Sequence, residues 1–146
     1  MEYKKFETAY VVRLDPGDEI CGSLLAIAKQ ENITLASISG IGAVNKIDIG
    51  VFDTTNKTYH SNQFEGTFEI VSLLGTLTQM NGEPYLHAHM SVGDMQGNMF
   101  GGHLTSAVVS ATAEIVLHLI PGTVDREFNE KIGLNLFKFA PSQNLN

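Results

Sequence analysis

Along most of this chain apolar and polar residues alternate with a period of two, the signature of half-buried strands. One stretch departs from it. Ile20, Leu24, Ile27 and Ala28 recur at helical spacing and predict a single amphipathic helix. Asp15 is the expected N-cap, Pro16 suits the first helical position, and Asp18 and Glu19 match the positive end of the helix dipole. Lys29 and Asn32 suit the C-terminal end. The remaining β-prone runs are residues 8–14, 34–39, 46–53, 64–78, 85–92, 99–104, 112–120 and 134–139, the last expected to close the sheet. Turn signals separate them: a corner at Gly40-Ile41-Gly42, Thr54 to Lys57, Asn81-Gly82, and Pro121-Gly122. One main helix and about seven strands predict an α+β fold with a mainly antiparallel twisted sheet. No Ser/Gly-rich run and no internal repeat divides residues 1–146. A single domain is expected, with its core over about 6–139 and a polar, fraying tail over 140–146.

Composition narrows the function classes. Nine Lys and Arg stand against sixteen Asp and Glu, a formal charge of -7, which disfavours charge-driven contact with nucleic acid or an anionic membrane. A lone Cys21 excludes an internal disulfide and any multi-cysteine zinc site. No apolar segment follows Lys4-Lys5, and no apolar run approaches the ~18 residues that span a bilayer, so a cytoplasmic protein is expected.

The chemistry lies in the histidines. His87 and His89 stand two apart in a predicted strand, so both side chains leave the same face. A three-residue hairpin loop, Met95-Gln96-Gly97, with Gly97 left-handed, would make each pair of facing residues sum to 192. His103 then lies opposite His89 on the same face, while Leu86, Ala88, Met90, Val92, Phe100 and Leu104 form an apolar face behind them. A two-residue loop would send His103 to the other side. Three imidazoles with an open fourth position are the ligand set of a catalytic zinc site, and Gly101 and Gly102 leave room beside it. His60 and His118 are expected to be structural.

Other residues are weighed beside these. Glu65 and Glu69 share a face about 13 Å apart, so one at most could serve a given metal as base or supporting group. Arg13 could meet an anionic substrate or pair with an acidic neighbour. Cys21 sits among apolar residues and is expected to be buried and inert. Gly40-x-Gly42 is followed by strand, not helix, so no nucleotide-cofactor site is expected.

The motifs Ser39-Gly40-Ile41-Gly42-Ala43-Val44, residues 65–75, Leu86-His87-Ala88-His89, Gly101-Gly102-His103-Leu104 and Thr112-Ala113-Glu114 occur in this order. With Arg13-Leu14 and Gly17-Asp18-Glu19, they make the chain resemble the bacterial form of the plants-and-prokaryotes-conserved (PPC) domain family. The resemblance implies a compact α+β domain forming homotrimers, with zinc at His87, His89 and His103. In plant relatives the domain follows AT-hooks, which this sequence lacks. The fold also resembles, distantly, acetolactate decarboxylase, where a three-histidine metal sits near arginine and glutamate side chains. Three readings follow. The leading one is a trimeric binding or assembly module with a three-histidine metal site. The alternative is a zinc-dependent enzyme on a small carbonyl or carboxylate substrate. The third is a DNA-binding protein, as relatives are often labelled. The residues leave open whether the chain is an enzyme.

Overall fold

A computed structural model describes residues 1–139, so the expected tail over 140–146 lies outside the described residues. The strands are β1 (Glu2–Lys5), β2 (Ala9–Leu14), β3 (Ala36–Asp53), β4 (Thr58–Met80), β5 (Glu83–Gly93), β6 (Met99–Leu119), β7 (Asp125–Asn129) and β8 (Leu134–Lys138); the helix is α1 (Ile20–Gln30). The fold is the expected one, mostly antiparallel strands with one helix.

Helix α1 buries the four residues that recur at helical spacing, Ile20, Leu24, Ile27 and Ala28, and packs against β5 and β6. Its start differs from expectation. Glu19, not Asp15, is the N-cap, and its carboxylate accepts the backbone N–H groups of Cys21 and Gly22 at 3.0 and 2.6 Å. Asp15 to Asp18 forms a turn tied to β6: Gly17 N–H donates to Val109 C=O at 2.9 Å, and Val109 N–H to Asp18 C=O at 3.0 Å. Backbone groups committed to a neighbouring strand cannot open a helix. At the other end Asn32 takes a left-handed φ of 53°, and Ile33 N–H closes on Ala28 C=O at 2.9 Å, a C-terminal cap.

The main sheet runs β1-β2-β6-β3-β4-β5, and β5 also pairs with β6. The sheet therefore curls until β3, β4, β5 and β6 form a closed ring. Two expected breaks are absent. Residues 34–39 and 46–53 belong largely to one 18-residue strand, β3, and 99–104 and 112–120 to the 21-residue β6. The Gly40–Gly42 segment is not a chain reversal but one of two register shifts in β3 against β4. A bulge bends a strand without ending its pairing, which is why alternation falters there while the ladder continues. Strand β8 does not close the sheet. It pairs with β7 in a separate two-stranded sheet, and closure comes from β5, which is already paired on both sides along His89–Gly93.

The core fills the inside of the curl. Leu73, Leu77, Ile115 and Leu117 are at most 1% exposed, and each stabilises the fold by about 1.5–3 kcal/mol through burial. Among the described residues no helix is long and apolar enough to cross a membrane.

Candidate metal centre

The β5–β6 hairpin turns on Met95-Gln96-Gly97. Asp94 organises it: its Oδ1 accepts the N–H groups of Gln96 and Asn98, both at 2.9 Å, and Gly97 adopts a φ of +82°. That loop fixes the register Val92↔Phe100, Ser91↔Gly101 and His89↔His103. Ala88, Met90, Val92 and Leu104 accordingly point into the core at 0–5% exposure. His87, His89 and His103 leave the opposite face.

The three imidazoles form a nearly equilateral triangle. Ring centroids are 5.3 Å apart for His87–His89, 5.2 Å for His87–His103 and 5.5 Å for His89–His103. One nitrogen of each lies within 4.8 Å of the other two, and among the described residues no carboxylate or thiol joins the group. Zinc–imidazole bonds are about 2.0–2.1 Å, so small side-chain rotations bring all three nitrogens onto one ion, and the residues present fit such a metal. His103 is held most firmly. Its strand pairs with Gly50 on one side and His89 on the other. Tyr59 stands edge-on to its ring and donates its hydroxyl to the His103 carbonyl at 3.2 Å. Burial, followed by the positive charge of His103, Arg126 and His89, pushes the His87 pKa down to about 4. Burial and His89 lower that of His103. Both shifts favour neutral imidazole, the form that binds metal.

The histidines occupy one wall of a cavity of about 870 Å³. The facing wall comes from β7 and β8, with Leu134, Leu136 and Phe137 presenting an apolar surface. Between the walls lies Arg126, 7% exposed. Its Nε donates to Thr78 Oγ1 at 2.8 Å, Nη1 to Asn135 C=O at 2.9 Å and Nη2 to Thr76 Oγ1 at 3.4 Å. Thr76 is the cross-strand partner of His87, and Thr78 that of Tyr85.

The structure brings together His87, His89 and His103 but not the other candidates. Glu65 is exposed and pairs with Lys46 at 3.3 Å, and Glu69 is exposed opposite Gly93. Arg13 pairs with Glu2 at 3.4 Å and Asp15 at 3.2 Å. None of these three lines the cavity within this chain. His60 and His118 lie outside it as well. Cys21 is half-buried, its thiol pushed up to about 12 by burial and then by Glu19, which leaves it unreactive. Sequence reasoning passed over Arg126, Tyr59 and Tyr85. The only available signal was composition: Arg126 is one of two arginines in the chain.

A closed antiparallel ring with a three-histidine cluster on its outer face defines the class of domain. The family model of the Plants and Prokaryotes Conserved (PCC) domain matches residues 1–121, and the chain belongs to that family, the one its motifs resemble. The match ends before β7, so Arg126 and its wall lie beyond it. A candidate DNA-binding protein from Bacteroides thetaiotaomicron superposes with a TM-score of 0.92 at 33% identity, covering 94% of this chain and 96% of that one. A metal-containing protein from Archaeoglobus fulgidus gives 0.83 at 33% identity, covering 95% and 100%. Among curated sequences, the bifunctional protein GlmU of Synechococcus is 31% identical over 110 residues, 74% of this chain but 16% of that protein. AT-hook motif nuclear-localized protein 8 of Arabidopsis thaliana is 27% identical over 112 residues, 72% of this chain and 28% of that protein. The chain thus spans only a minor part of these curated relatives.

Proposed function

We propose that the chain holds one divalent metal ion through His87, His89 and His103, and that ion and cavity together bind a small molecule bearing a carbonyl or carboxylate group. Zinc suits the three-imidazole set best. The observation that carries this reading is the convergence of three ligating nitrogens on the wall of a cavity of about 870 Å³. A structural zinc takes four protein ligands, whereas three leave a position for a ligand. The ion would supply Lewis acidity to a bound oxygen. The chain's own groups do the rest: Tyr59 fixes His103, and the β8 wall offers apolar surface to the body of the ligand. No carboxylate of the described residues lines the cavity, which favours a binding site or Lewis-acid chemistry over catalysis by a carboxylate base. The metal-containing relative from Archaeoglobus fulgidus supports the same reading. The lone cysteine fits a reducing cytoplasm. Metal analysis after dialysis should find about one ion per chain, with His103→Ala weakening binding by about 100-fold or more. Metal-free protein, or a variant that binds as tightly as its parent, overturns the proposal.

A second observation favours self-association as the expected homotrimer. Val11, Val116, Ser39 and Leu74 are cross-strand neighbours in one row that continues through His89 to His103. Val11 and Leu74 are 45% and 59% exposed, so a second copy docking there would bury apolar surface beside the metal site. Light scattering should give three chain masses; a stable monomer at micromolar concentration refutes it. DNA enters through the name of the Bacteroides relative. Nine basic against sixteen acidic residues oppose it, and three copies triple the charge of -7. Duplex DNA should not bind tightly at ~150 mM salt, and sub-micromolar affinity for one sequence would reverse this reading.

A further inference from the structure

We propose that Arg126 is the anchor for the carboxylate of a small, largely apolar carboxylic acid, bound in the cavity so that the same molecule reaches the three-histidine site. The second contact rests on the metal reading above; the first does not. A guanidinium cannot shed its proton, and burying its charge is costly unless an anion answers it. Arg126 is 7% exposed, yet no ion pair of the described residues includes it. Its three partners, Thr76, Thr78 and the Asn135 carbonyl, are all neutral. They take three of its five N–H groups. One on Nη1 and one on Nη2 remain without a partner among the described residues.

The group is also held in orientation. The guanidinium carbon lies 4.7 Å from the Tyr85 ring centroid and 4.4 Å from that of Phe137. Aromatic rings and threonine hydroxyls at fixed strand positions set the plane of the fork before any ligand arrives. A tether for the β7–β8 wall would need the donors but not a buried charge. A site for an anion needs both.

The free donors name the ligand class. Two N–H groups on adjacent nitrogens match the two oxygens of one carboxylate. A phosphate brings more charge and more oxygens than those donors satisfy. Leu134, Leu136, Phe137 and Phe52 line the same cavity and accept an apolar body. The neighbouring threonine is cross-strand partner to His87, so one small molecule spans from Arg126 to the metal position.

The sequence supplies its own probe. Arg13 and Arg126 are the only arginines, so the two side-chain Nε–H signals of arginine-labelled protein separate the buried site from an exposed control. Benzoate is titrated into metal-free and zinc-loaded protein, with benzamide as its uncharged match and inorganic phosphate as the competing anion. The expected result is a saturable shift of the Arg126 signal with benzoate in both forms, and no shift of Arg13. Benzamide should bind at least about tenfold more weakly. Equal binding of benzoate and benzamide, an Arg126 signal unmoved by millimolar benzoate, or preference for phosphate overturns the proposal. The Arg126→Lys variant keeps the charge but loses the fork, and should weaken benzoate about tenfold; an unchanged affinity overturns it too. Zinc analysis on the same samples separates the two readings. Benzoate binding without zinc binding refutes the metal and leaves the anchor standing, and the converse refutes the anchor.

Discussion

Two hairpins face each other across the cavity, and they are held in place by different means. In β5–β6 two of the three histidines are paired through the backbone on both flanks, His103 with His89 and Gly50, and His89 with Leu74 and His103, while His87 pairs with Thr76. The β7–β8 hairpin forms a sheet of its own. Its ties to the ring run through side chains and loop contacts: Arg126 to Thr76 and Thr78, Lys57 Nζ to the Glu130 carbonyl at 2.8 Å, and Gln79 N–H to the Val124 carbonyl at 3.0 Å. A two-stranded hairpin is marginal by itself. The ring therefore offers the precision that the proposed metal site needs, and the tethered wall offers the give that entry of the proposed ligand needs.

Two glycines differ most between the hairpins. A Cβ on Gly102 would sit 2.5 Å from the Gly50 carbonyl oxygen, so Gly102→Ala must push β6 away from β3 beside His103. Denaturant unfolding should show a loss of about 2–4 kcal/mol together with loss of metal. In the other hairpin Gly133, at a φ of +89°, lies in the turn, and Gly133→Ala should cost about 1 kcal/mol with metal retained. Equal losses would mean that the two hairpins are one rigid unit.

Acid should act on the histidine hairpin next. The His87 pKa of about 4 lies below the ordinary 6.5, so between those values the unfolded chain binds a proton that the folded chain refuses. The contribution of His87 is complete above pH 6.5 and is lost as pH falls towards 4. Thermal unfolding of metal-free protein should show this decline, and His87→Gln should flatten it. A parent whose stability is level across that window would contradict the burial described here.

The smallest effect belongs to the surface of the tethered wall. Lys138 and Glu127 pair across β7 and β8 at 3.0 Å with both side chains more than half exposed. Lys138→Gln should change stability by less than about 0.5 kcal/mol. A larger loss would show that this ion pair helps to hold the wall.

The same contrast explains what could be read from the sequence. The triad was legible because it depends on local rules: strand parity, a loop of defined length and one left-handed glycine set the register of residues 85–104. The helix was legible from spacing, although its cap is Glu19 and not the expected Asp15, because Gly17 and Asp18 are committed to Val109 of β6, far along the chain. The bulge at Gly40–Gly42 was legible as glycine but not as continuation, because a bulge and a corner leave the same composition. Arg126 was invisible. Nothing adjacent to it signals burial, and its partners Thr76, Thr78 and Asn135 converge on it only after β7–β8 folds over the ring. Glu65, Glu69 and Arg13 had the right chemistry, but their strand positions carry them to the exterior.

Strand β6 carries one further consequence, and it is kinetic. Its N-terminal end holds His103 against His89, while its C-terminal end pairs His118 with Ala9. One strand thus joins partners drawn from nearly the whole length of the chain. Contacts of such sequence separation are reached only after long loops have closed, and proteins dominated by them fold in milliseconds to seconds rather than microseconds. The histidines are near neighbours in sequence, yet the ring that holds them cannot close until β3 has met β6, from Ala36 against Leu119 to Gly50 against His103. During synthesis β6 is the last strand of the ring to leave the ribosome, so the spacing of the histidines is fixed only once it has joined β3 and β5.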